Sequence, residues 1–120
     1  MSFDVMPQAV AMSAEKKRLL DVAQYFADRG EQRFASPRGV EHIPLAELQA
    51  TPTRSGVYKA LENALWETGT RVGSTVGDVM TAFGIDEKQL HTTLCFCHNG
   101  ESVAAMHLAT SLRQIASTKT

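Results

Sequence analysis

His91, Cys95 and His98 stand at positions i, i+4 and i+7, so on a helix they bring imidazole, thiol and imidazole onto one face. Zinc and copper take such donors, and His107 further along the chain is available as a fourth. The paired ligand spacings of structural zinc sites are missing, however, and a free cysteine packs as a small hydrophobe. The stripe is therefore a candidate only, and neither a metal nor another cofactor is expected. Cys95 could also act as a nucleophile beside His91 or His98, which needs a third group to orient the base. The carboxylate on that face, Glu87, is two turns from Cys95, so the chain is expected not to be an enzyme. Gly69, Gly73 and Gly77 do not form a phosphate-cradling loop and read as helix ends and hinges.

The element that must carry this face runs from Thr75 to Cys97, TVGDVMTAFGIDEKQLHTTLCFC, and reads as two short helices joined by a tight turn. Thr75 with Asp78, and Asp86 with Gln89, have the spacing of reciprocal helix caps. Gly84 between them can take the left-handed conformation that ends a helix, after which Ile85 drops into the core. On the first helix Val79, Met80 and Phe83 share a face; on the second, Leu90, Thr93, Leu94 and Cys97 do. The second helix then turns Glu87, Lys88, His91, Thr92, Cys95 and His98 outward, next to Phe96.

The apolar positions Val79 and Phe83, the turn glycine Gly84, and the inner anchors Ile85 and Leu90 together resemble the helix-turn-helix of bacterial and phage DNA-binding regulators. The resemblance covers about twenty residues. It implies that the 87–98 helix enters the major groove, with Lys88, His91 and Thr92 as groove-facing donors and Gln89 placed to pair with adenine. Arg33, Arg38, Arg54 and Lys59 are the candidate phosphate contacts outside the motif. Asp86 and Glu87 put negative charge where that helix would approach phosphates.

At 120 residues the chain suits one domain able to bury roughly two-thirds of its unfolded surface. With 43% hydrophobic and 21% charged residues it is globular in composition and not disordered. A net charge of −1, evenly distributed, excludes a global field drawing the molecule to nucleic acid or anionic lipid. No apolar run approaches the roughly twenty residues of a membrane span. Cys95 and Cys97, two positions apart, are badly placed to bridge each other, and a reducing, cytoplasmic setting is the natural reading.

Four further helices are expected around the pair. Ser13 caps 14–29, which buries Leu19, Val22, Ala23, Phe26 and Ala27; a short helix over 45–50 starts beside Pro44. Ser55 begins 54–68, which buries Val57, Leu61, Ala64 and Leu65 and leaves Trp66 at the edge. The last helix, 102–116, buries a stripe from Ala104 to Ala116 and turns Val103 and Met106 to its polar side. The expected fold is thus all-α, a compact bundle of five to six helices holding the helix-turn-helix-like pair. Residues 1–12 form an arm, 13–117 one helical domain and 118–120 a tail.

Phe96, Val103 and Met106 are apolar groups on otherwise wet faces and form a candidate partner interface. They suit a homodimer or a protein partner. Two functions follow as expectations: a DNA-binding transcriptional regulator using 76–97, or a protein-binding inhibitor or adaptor of bacterial or phage type.

Overall fold

A computed structural model describes residues 13–35, 43–86, 88–90 and 102–119. In chain order these form α1 (Ala14–Ala27), β1 (Arg33–Ala35), α2 (Leu45–Ala50), α3 (Gly56–Glu67), α4 (Val76–Phe83), β2 (Ser102–Ala104) and α5 (Ala105–Ala116). Residues 88–90 are also helical. The fold is mostly helical, as expected, with α1 to α5 within three residues of their expected limits; of the expected 87–98 helix only 88–90 lie among the described residues.

Helix α1 starts because Ser13 holds an extended backbone and its hydroxyl accepts from the Lys16 N–H at 3.1 Å. Its Leu19, Val22, Ala23 and Phe26, at three- and four-residue spacing, are fully buried. That stripe packs principally against Leu108, Ala109, Leu112, Ile115 and Ala116 of α5. Each large aliphatic or aromatic side chain so buried stabilises by about 1.5–3 kcal/mol, which makes this pair the backbone of the core. Helix α3 contributes Val57, Leu61, Ala64 and Leu65, again the expected face. Ser55 precedes it in an extended conformation, but its side chain makes no cap hydrogen bond.

The all-α expectation is corrected by a small sheet. β1 and β2 pair antiparallel, with Arg33 opposite Ala104, Phe34 opposite Val103 and Ala35 opposite Ser102. Strand geometry sends alternate side chains to opposite faces, so Phe34 is half-buried between the exposed Arg33 and Ala35. Phe34 meets Phe26 edge to face, with ring centroids 5.7 Å apart. The last helix therefore begins at Ala105, not at 102, and the Ala105 N–H donates to the Gln32 carbonyl at 2.8 Å. Val103 is corrected with it: on a strand facing the core it is wholly buried, so it cannot belong to an exposed apolar face.

The proline-containing connection before α3 is held at its far end by side chains and backbone alike. Ile43 and Leu48 are buried. The Thr53 N–H donates to the Ser74 carbonyl at 2.9 Å and the Val76 N–H to the Thr51 carbonyl at 2.8 Å, strapping residues 51–53 beside the start of α4. Gly77 permits α2 to lie close on α4, since a Cβ there would be 2.9 Å from the Gln49 carbonyl oxygen. Inside this region Thr53 donates its hydroxyl to Glu62 Oε1 at 2.5 Å, and Lys59 Nζ stands 3.3 Å from the same oxygen. Glu62 and Thr53 are both buried, so the carboxylate is satisfied by a neutral and a charged donor. Among the described residues no helix is long and apolar enough to cross a membrane.

Candidate functional site

The turn after α4 is built from the residues expected to build it. At the start of α4 the Thr75 hydroxyl accepts from the Asp78 N–H at 3.2 Å, and the Asp78 carboxylate accepts from the Thr75 N–H at 3.2 Å. At its end Gly84 is left-handed, with φ 68° and ψ 33°. The Ile85 N–H reaches back to the Met80 carbonyl and the Gly84 N–H to the Thr81 carbonyl, at 3.1 and 3.2 Å, the two bonds of a Schellman end. A second reciprocal cap follows at once: the Gln89 N–H donates to Asp86 Oδ1 at 2.9 Å, and the Asp86 N–H donates to Gln89 Oε1 at 3.4 Å.

Both sides of the turn are anchored. Val79, Met80, Phe83, Ile85 and Leu90 are all buried; Thr93, Leu94 and Cys97, the rest of the expected inner face, lie outside the described residues. The carbonyls left over at the end of α4 find cations from distant parts of the chain. Arg18 Nη1 on α1 donates to the Ala82 carbonyl at 3.1 Å, and Lys119 Nζ donates to the Gly84 carbonyl. Positive groups at a helix carboxyl end also complement its dipole. Glu15 of α1 lies against the turn, because a Cβ on Gly84 would fall 2.4 Å from its carboxyl carbon. Lys119, assigned to a tail on sequence grounds, is thus part of the turn's support.

The proposed DNA contacts fall into four groups. Lys88 and Arg54 are exposed, and Arg54 follows the strap that runs beside the amino end of α4. Arg33 is exposed on β1 but has an interaction of its own. Lys59 and Gln89 have other work: Lys59 pairs with Glu62, and the amide oxygen of the half-buried Gln89 turns back to cap its own helix. Arg38, His91, Thr92, Cys95, Phe96 and His98 lie outside the described residues. The metal stripe and most of the outward helix face lie there with them. His107, the suggested fourth ligand, is exposed on α5. Of the interface candidates, Met106 is exposed at 44% of its surface.

Two arginines that the sequence reading passed over line a groove beside α4. Arg18, Thr70, Arg71, Asp78 and Thr81 surround an open volume of about 330 Å³. Arg71 lies over the exposed Trp66, its guanidinium carbon 4.6 Å from the ring centroid, and the Trp66 indole N–H donates to the Val72 carbonyl at 3.3 Å. The tryptophan therefore finds the partner its edge position called for. A basic residue in the loop leading into the first helix of the pair was the available signal for Arg71; Arg18 is brought in by tertiary packing alone.

Comparison of the chain with family models, with curated proteins and with solved structures gives no match.

Proposed function

We propose that the chain is a small non-enzymatic DNA-binding regulator, acting as a homodimer, whose reading unit is the 76–97 segment. The observation that carries this reading is the turn at 84–86. A left-handed glycine end and a reciprocal cap follow within three residues, and Phe83, Ile85 and Leu90 are buried on the two sides. That construction supports a tight turn into a second helix, and Lys88, just beyond it, is exposed. Arg54, beside the amino end of α4, is suited to a backbone phosphate.

The test is retardation of genomic fragments at low salt. Affinity should fall steeply as salt rises, and Lys88→Glu with His91→Ala should abolish the sequence-specific complex while the helical circular dichroism stays intact. Absence of any retarded complex at low salt would overturn the proposal. A protein-binding adaptor is the second reading, favoured by the exposure of Met106 on α5 and by the near-neutral charge. Under it, Met106→Asp breaks a complex whose stability responds little to salt.

A further inference from the structure

We propose that the groove between α1, the 70–73 loop and α4 is a binding site for a phosphoryl group. It goes beyond the DNA reading and stands or falls separately from it.

The groove gathers hydrogen-bond donors from three separate elements. Arg18 comes from α1, Thr70 and Arg71 from the loop, and Thr81 from α4. One of the five N–H donors of Arg18 goes to the Ala82 carbonyl, which fixes the guanidinium in place. Among the described residues its remaining donors have no acceptor. Arg71 is held over the Trp66 ring, its guanidinium carbon 4.6 Å from the centroid, and among the described residues its N–H donors have no acceptor. Thr70 and Thr81, which also line the groove, each carry a hydroxyl able to donate.

Asp78 is the one carboxylate in the lining, and its Oδ2 already accepts from the Thr75 N–H and hydroxyl, at 3.2 and 2.8 Å. Two arginines against one carboxylate leave a surplus positive charge in the groove. A planar carboxylate would satisfy a single guanidinium fork. Donor-bearing residues lining one groove from α1, the loop and α4 suit a tetrahedral oxyanion with acceptors on several sides, which is a phosphoryl group.

The probe is inorganic phosphate, titrated into the ¹⁵N-labelled full chain, with sodium chloride at matched ionic strength as the control. Saturable shifts should concentrate on Arg18, Thr70, Arg71 and Thr81, and both Arg71→Gln and Thr81→Val should weaken them. Arg71→Gln removes no hydrogen bond among the described residues, whereas Arg18→Gln would also release the Ala82 carbonyl. No saturable shift beyond the chloride control overturns the site, as does an unchanged titration in Arg71→Gln.

Duplex DNA separates the sources of the phosphoryl group. If Arg71→Gln weakens duplex binding and lowers the salt slope by about one, the group is a backbone phosphate. If phosphate saturates the groove while duplex binding is absent or unaffected, the ligand is a free phosphoryl compound, and the site stands without the DNA reading.

Discussion

Replacing Gly84 by alanine tests the turn directly. The residue sits at φ 68°, where a side chain costs about 1–2 kcal/mol in the left-handed region. Its new Cβ would also come within 2.4–2.6 Å of the Glu15 carboxyl atoms. Glu15 is a flexible side chain and can swing away, at about 0.5–1.5 kcal/mol for a displaced rotamer. Together these predict a loss of about 2 kcal/mol, or roughly 8 °C in midpoint for a chain of this size. Gly30 is the internal control: it too has positive φ, at 48°, but a Cβ there meets nothing within 4 Å. Gly30→Ala should therefore cost about 1 kcal/mol, the backbone contribution alone. Urea titrations of both variants, and of Gly84→Ala in a Glu15→Ala background, separate the two contributions. The double variant should recover about half of the Gly84→Ala loss, because the obstructing carboxylate is gone. Equal losses at positions 84 and 30, together with no coupling to Glu15, would refute the packing described for the turn.

Two more outcomes follow from close contacts elsewhere. Gly77→Ala should gain about 1 kcal/mol in helix propensity, yet its Cβ would sit 2.9 Å from the Gln49 carbonyl oxygen and 3.3 Å from its Cα, both backbone atoms. Forcing α2 off α4 costs about 1–3 kcal/mol, so thermal melts should show net destabilisation despite the better helix former. Thr53→Val keeps the side-chain shape but removes the hydroxyl that Glu62 accepts from at 2.5 Å, leaving Lys59, at 3.3 Å, as the carboxylate's partner among the described residues. A loss of about 2 kcal/mol in chemical denaturation is expected, and a neutral result would mean that water replaces the hydroxyl.

The helices and caps were legible because their signals are local. Ser13, the Thr75 and Asp78 pair, Gly84, and the Asp86 and Gln89 pair act on backbone groups a few residues away, and each does in the fold what its spacing implied. The buried stripes of α1, α3 and α5 were equally open to reading from periodicity. The two strands were not. Each is three residues long, too short for an alternating pattern, and each exists only because the other lies beside it. Val103 was misplaced for that reason: continued as helix, it faced outward, whereas paired with Phe34 it faces the core. The same limit hid the groove beside α4, whose arginines are 53 positions apart and meet through packing. It also hid the commitment of Lys59 to Glu62, since ordinary helical spacing does not reveal that the carboxylate is buried.

The pairing of residues 33–35 with 102–104 has a kinetic consequence. Bringing those strands together closes a long loop, and its entropy must be overcome before the sheet contributes anything. The backbone bonds and caps of the α4 turn come from neighbours and can form early, on the timescale of local structure. The seam between the amino- and carboxyl-terminal helices has to wait for distant segments to find each other. Refolding should thus assemble the middle of the chain first and lock its two flanks last, with Lys119 reaching the Gly84 carbonyl among the final contacts.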